Sequence, residues 1–154
     1  MIEDSEWVSR LQGYLSKNGL RLTNQRKLIA ATFFEAEGHL NFEQLYEAVQ
    51  QRDSSVGQAT VYRTLKVLVD SGLANSSRFG GNSALYESAI TDEHHDHLIC
   101  TECGLIVEFC DDQIESLQHV VAQGHGFTLK DHTMELYATC DRSHPACPKC
   151  PAKR

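Results

Sequence analysis

Residues 94–103 read His-His-Asp-His-Leu-Ile-Cys-Thr-Glu-Cys, and the side chains able to bind a cation are concentrated there. In an extended chain, successive side chains point to opposite faces. His95 and His97 then share one face, while His94 and Asp96 share the other. Each face offers a pair of nitrogen or oxygen donors, and neither pair completes a coordination shell alone. Cys100-x-x-Cys103 follows at once with Gly104 behind it, the knuckle spacing in which two thiolates turn onto one ion. Three partial metal sites in ten residues raise the question of where the remaining ligands come from.

The rest of the composition narrows the class. The 154 residues suffice for one ordinary domain or two small ones. A small domain buries little apolar surface, so a structural metal is an expected source of stability. The opening Met-Ile-Glu-Asp-Ser-Glu-Trp has neither a basic nor an apolar leader pattern. No apolar run approaches the roughly 20 residues that span a bilayer. A soluble, cytoplasmic protein without a membrane partner is expected. In that compartment six cysteines, two pairs of them spaced C-x-x-C, favour metal over disulfides. The formal charge of −7 argues superficially against nucleic acid. Its distribution reverses that argument: the first 86 residues are close to neutral, and most of the acidic excess lies with the His and Cys cluster, where bound cations offset it.

The elements that must position these groups follow from periodicity. Trp7, Val8, Leu11 and Leu15 have helical spacing, stopped by Asn18-Gly19. Thr23 caps a second helix with a stripe of Leu28, Ile29, Ala31, Thr32 and Phe33, ended by Gly38. Asn41 and Gln44 form a capping box for a third, and a fourth runs from Ser55–Gly57 to Ser71-Gly72. Residues 73–79 and 83–87 then read as two strands around Gly80-Gly81-Asn82. Helices followed by a hairpin make a winged helix-turn-helix, whose last helix, carrying Thr60, Tyr62 and Arg63, reads the major groove. A plain three-helix core with a solvated Arg63 has a similar pattern. Beyond a hinge at residues 88–91, strands are expected at 95–100, 106–109 and 133–139. Asp111 caps a helix there with an apolar stripe of Ile114, Leu117, Val120 and Val121. The expected fold is α+β: a winged-helix DNA-binding domain over 1–87, and a small α/β dimerisation domain with the metal sites over 88–154. The tail, with Cys140, Cys147 and Cys150, supplies further thiolates.

In this order and spacing the pieces resemble the ferric uptake regulator family of metal-dependent transcription factors. The resemblance runs from Gly19-Leu-Arg-Leu-Thr23 to Cys147, through His39-Leu-Asn-Phe-Glu-Gln-Leu-Tyr46, Ala59-Thr-Val-Tyr-Arg63, His94-His-Asp-His97, Cys100-x-x-Cys103-Gly104 and Val107-Glu-Phe109. His125-Gly-Phe127 and Leu136-Tyr137 before Cys140 belong to it too. It implies DNA contacts from Arg21, Tyr62 and Arg63, to which the reading-helix position adds Thr60. It implies a regulatory metal site between domains from His39, Glu87, His95, His97 and Glu108, and a second metal site from His94, Asp96, Glu115 and His132. It also implies a structural zinc on Cys100, Cys103 and two tail cysteines. The interval from Cys140 to Cys147 is longer than is common in the family, and Cys147-x-x-Cys150 forms a rival knuckle. Cys140 and Cys147 are the expected pair, because Cys140 stands at the strand end and Pro148 follows Cys147.

The function so implied is a homodimeric repressor, with a tetramer as the alternative assembly, that binds an AT-rich palindromic DNA operator. Zn(II) is its structural ion and Fe(II) its co-repressor, with Mn(II) or Zn(II) able to take the place of iron. The zinc-sensing branch carries Cys where this chain offers Glu87, and the peroxide-sensing branch carries Asp where it has Glu108. Both differences favour iron, with a zinc-, manganese-, nickel- or peroxide-sensing member of the family as the alternative. No enzyme is expected: a zinc hydrolase could use His95, His97 and Glu108, but no further catalytic constellation accompanies them. A four-thiolate electron carrier is the other rival.

Overall fold

Fourteen residues into the helical pattern, the chain turns on a left-handed glycine, and that break sets the first layer. In the computed structural model, which describes residues 4–36, 38–78, 83–90 and 94–140, α1 spans Asp4–Lys17. Gly19 follows at φ 68°, letting the Leu20 N–H close back on the Leu15 carbonyl at 2.8 Å. Trp7, Leu11 and Leu15 lie one helical turn apart, and all are buried. The chain divides into two compact units, Met1–Asp92 and Glu93–Arg154.

In the first unit, α2 (Asn24–Glu35) is capped by Thr23, whose side chain accepts from the Arg26 N–H at 3.2 Å. It ends at an Ala36 cap bonded to the Phe33 carbonyl, before the expected Gly38, which lies beyond the helix at φ 73°. Next come β1 (Leu40–Asn41), α3 (Phe42–Arg52) and α4 (Gln58–Asp70). The Asn41 capping box is complete: its side chain accepts from the Gln44 N–H at 2.8 Å, and its own N–H donates to Gln44 Oε1 at 2.9 Å. Gly72, at φ 71°, closes α4 and directs buried Leu73 into β2 (Ala74–Ser77), which pairs antiparallel with β3 (Leu85–Ser88). The two-residue β1 adds a third strand, in the order β1-β3-β2. Helical stripes and sheet enclose one apolar core that includes Ile29, Phe33, Leu45, Val49, Val61, Leu65 and Leu68. This is a winged helix-turn-helix. Residues expected to act as a hinge are tied to it: the Ala89 N–H donates to the Leu73 carbonyl at 3.0 Å and the Ile90 N–H to Ser88 Oγ at 3.3 Å. Thr91 lies outside the described residues.

The second unit is built around β4 (Asp96–Cys100). β5 (Ile106–Phe109) pairs antiparallel on one side and β6 (Glu135–Ala138) parallel on the other. Between them runs α5 (Asp112–Gly124), capped by Asp111, which accepts from the Gln113 and Ile114 N–H groups at 2.9 and 3.1 Å. The expected apolar stripe is present but not covered: Leu117, Val120 and Val121 are each about 60% exposed, and no residue of α5 is buried. Among the described residues, the only buried apolar side chains of this unit are Ile99 and Cys100.

The first unit therefore holds itself together by packing and caps. Asn41→Ala is expected to lower the stability of its unfolding transition by about 1 kcal/mol, measured by urea denaturation followed at Trp7.

Candidate metal sites and DNA-reading face

Alternation from His94, two residues before β4, through His97 separates the donors as expected, although the strand begins at Asp96 and not at His95. On one face, buried Asp96, only 1% exposed, meets His94, Glu115 from the first turn of α5 and His132 from the segment before β6. His94 Nε2 lies 3.6 Å and His132 Nε2 3.4 Å from Asp96 Oδ1, and each lies 3.4 Å from Glu115 Oε1. The two Nε2 atoms are themselves 2.8 Å apart. One donor atom from each residue falls within 4.8 Å of all the others. A hydrogen-bonded histidine pair does not account for this cluster, because both Asp96 oxygens and Glu115 Oε1 are buried without a hydrogen bond. Such oxygens are costly to bury unless a positive charge faces them. Two carboxylates and two imidazoles around one point fit a divalent cation. Gln118, which the sequence pattern did not single out, also ends in a buried Oε1 without a hydrogen bond. Its position three residues after Glu115 was the only available signal.

At the far end of β4, Cys100, Cys103 and Cys140 bring their sulfur atoms together within 4.8 Å, with Cys103 Sγ and Cys140 Sγ 3.9 Å apart. Gly104 makes the knuckle: at φ 74° its N–H reaches the Cys100 carbonyl at 2.9 Å. The tail thiol is delivered by strand register, since Cys100 pairs with Ala138 and the Thr101 N–H donates to the Ala138 carbonyl at 2.8 Å. The Cys103 backbone N–H pulls the Cys100 thiol down to about 6 against the opposing effect of burial, with Cys140 also lowering it. A thiol so depressed is a thiolate near neutral pH and fits a zinc ion. Cys147 and its rival Cys150 lie outside the described residues.

The remaining donors occur as two fragments, one in each unit. In the first, the β1–β3 register pairs Leu40 with Tyr86; one residue further along, His39 stands opposite Glu87. His39 Nε2 is 3.1 Å from Glu87 Oε2, and both side chains are about nine-tenths buried. In the second, His97 pairs with Glu108 across β4 and β5, His95 Nε2 lies 4.0 Å from Glu108 Oε1, and the two imidazole centroids are 5.0 Å apart. His95 and His97 thus share the face opposite Asp96.

On the first unit, α4 exposes Tyr62 and Arg63. Arg63 Nε donates to the Ala59 carbonyl at 3.1 Å, and the Tyr62 ring is braced edge-on by Phe42 at 6.3 Å. Thr60 is half-buried, so Tyr62 and Arg63 are the more accessible pair. Arg21 is exposed before α2, its carbonyl accepting from Arg26 Nη1 at 2.6 Å. An aromatic ring and a guanidinium on the exposed face of a winged-helix reading helix suit contacts to bases and phosphates.

A sequence model of the ferric uptake regulator family matches residues 17–137. This chain belongs to that family. Like its relatives, it is a metal-responsive regulator. The ferric uptake regulation protein of Campylobacter jejuni is 39% identical over 145 residues, covering 91% of this chain and 92% of that protein. The solved structure of the Helicobacter pylori regulator Fur, described as having three functional metal-binding sites, superposes with a TM-score of 0.82 at 30% identity. That superposition covers 90% of this chain and 91% of that one. The Pseudomonas aeruginosa ferric uptake regulator with manganese superposes with a TM-score of 0.72 at 34% identity, over 92% of this chain and 99% of that one.

For this family member the Asp96 cluster makes a signed prediction. In protein stripped of weakly held ions, Asp96→Asn should leave the melting temperature unchanged or raise it, because a buried carboxyl group that accepts no hydrogen bond is replaced by a neutral amide. The stabilisation gained on adding Mn(II) should shrink, reflecting more than the roughly 10-fold affinity loss typical of outer-shell changes. Equal metal-induced shifts for variant and wild type in thermal melts would contradict the site.

Proposed function

We propose that the chain is a dimeric transcriptional repressor, acting in the cytoplasm, that binds an AT-rich palindromic DNA operator when Fe(II) occupies a site shared by its two units. Mn(II) and Zn(II) can substitute for iron. The observation that carries this reading is the division of one donor set: His39 with Glu87 on the winged-helix unit, His95 and His97 with Glu108 on the other. Neither fragment makes a full shell, and together they offer a mixed imidazole and carboxylate set suited to ferrous iron or manganese. An ion held by both fixes the angle between a DNA-reading unit and a dimerising one. In a dimer that angle sets the separation of two reading helices on a palindrome. Without the ion, carboxylates repel one another, and DNA binding must also supply the ordering entropy.

Further support comes from the rest of the chain. Arg21, Thr60, Tyr62 and Arg63 serve DNA. Cys100, Cys103, Cys140 and Cys147 hold the structural Zn(II), whose binding contributes directly to folding a unit with almost no apolar interior among its described residues. The exposed stripe of α5 is suited to a second copy, and His94, Asp96, Glu115 and His132 form a second metal site within the unit. Among the described residues no helix is long and apolar enough to cross a membrane. A manganese-responsive regulator is the second reading, favoured by the likeness to a solved zinc-bound manganese uptake regulator, 37% identical over 85% of this chain and 98% of that one with a TM-score of 0.65.

The test is DNA affinity with and without saturating metal. His97→Ala should remain a folded, zinc-containing dimer whose DNA affinity no longer rises on adding Fe(II) or Mn(II). His39→Ala should behave alike, although it sits on the other unit. A wild-type response in His39→Ala, with none in His97→Ala, would sink the shared ion. Arg63→Ala should keep its metal content and dimer but lose on the order of 1–3 kcal/mol of operator affinity, read by fluorescence anisotropy at fixed salt.

A further inference from the structure

The second metal site has four protein donors in the chain's own pattern, yet the buried oxygens lacking hydrogen bonds do not stop at those four residues. In the second unit, among the described residues, the buried side-chain oxygens with no hydrogen bond are both of Asp96, one of Glu115, and Oε1 of Gln118. Gln118 follows Glu115 by three positions on α5, which places both on one helix face. It also lines the same cavity as His132, a ligand candidate from outside the helix, beside apolar Ile114, Leu117 and Met134. A buried amide oxygen with no donor opposite costs as much as a lost hydrogen bond. An apolar side chain would fill this position without that cost.

We propose that Gln118 is a fifth protein donor of the second cation site, its amide oxygen joining His94, Asp96, Glu115 and His132. The proposal rests on the reading of that cluster as a metal site. Charge explains why an amide serves here. Two carboxylates already neutralise a divalent cation, and a neutral oxygen adds coordination without leaving a net negative charge in a buried place. The consequence is selectivity. A five-donor shell with three oxygens disfavours an ion content with tetrahedral nitrogen and sulfur ligands, and favours Mn(II) or Fe(II).

The experiment uses full-length, zinc-containing protein carrying His97→Ala, which disables the proposed shared site. Bound Mn(II) is counted by loss of the free-ion electron paramagnetic resonance signal, and the Co(II) form is followed by visible absorption. Gln118→Leu should weaken Mn(II) binding by about 10-fold or more and intensify the Co(II) bands toward those of a four-coordinate ion. The melting temperature of its ion-stripped form should be unchanged or higher. Gln118→Glu, which keeps an oxygen at that place, should restore Mn(II) binding and the weaker Co(II) bands. Unchanged Mn(II) affinity and Co(II) spectrum in Gln118→Leu would overturn the proposal. So would an ion-stripped form that melts lower and is not rescued by Glu, which would assign Gln118 a packing role. If the His97→Ala background itself binds no Mn(II), the second site is not a metal site and the proposal falls with it.

Discussion

A carboxylate buried without a hydrogen bond is the condition from which the second unit's organisation follows. Asp96 opens β4 at 1% exposure with both oxygens unbonded. Burying such a charge costs several kcal/mol even after the surroundings relax. The same five-residue strand carries His97 on its opposite face and Cys100 at its far end, so three donor sets are arrayed along one element by alternation and length alone. Around it there is little hydrocarbon to compensate: Ile99 and Cys100 are its buried apolar residues among those described. Candidate donors stand where a larger domain would have a core. In the proposed reading, cation binding contributes to the folding of such a unit.

The first unit is built on the opposite principle. Its helical stripes and three-stranded sheet enclose a continuous apolar core, and its helix ends are closed by Thr23, Asn41 and left-handed glycines. Packing and caps hold its shape, which in the proposed mechanism suits a reading head that exposes Tyr62 and Arg63. In the proposed mechanism the ion acts on the joint and leaves the reader unaltered. A preformed reader loses little entropy of its own on binding DNA, so the metal-dependent part of affinity is confined to ordering one unit against the other.

Much of this was legible in the sequence because the signals were local. The Asn41–Gln44 capping box, the Thr23 cap, the Cys100–Gly104 knuckle and the alternation of His94 to His97 each depend on residues within one turn or strand. Long-range pairing was less visible. β1 is two residues long and has no periodicity to detect, yet its register against β3 places His39 opposite Glu87. The knuckle could be read without showing how Cys140 reaches it; that follows from parallel pairing of Cys100 with Ala138. The apolar stripe of α5 was visible as a stripe, but periodicity cannot tell whether a face is covered by its own chain or by a second copy. Gln118 has no distinguishing signal in the sequence, because an amide on a helix shows no pattern of its own; its buried, unbonded oxygen is visible only in the fold.

In the proposed mechanism one ion serves both units, and DNA binding depends on the arrangement it imposes. Thermodynamic linkage makes that dependence reciprocal: DNA must tighten metal binding by the factor by which metal tightens DNA binding. The direct measurement is the Mn(II) affinity of the zinc-containing dimer, free and saturated with operator duplex, compared with its operator affinity at zero and saturating Mn(II). Equal factors from the two titrations, both well above one, are expected. A Mn(II) affinity that stays the same whether or not operator is bound would contradict that mechanism.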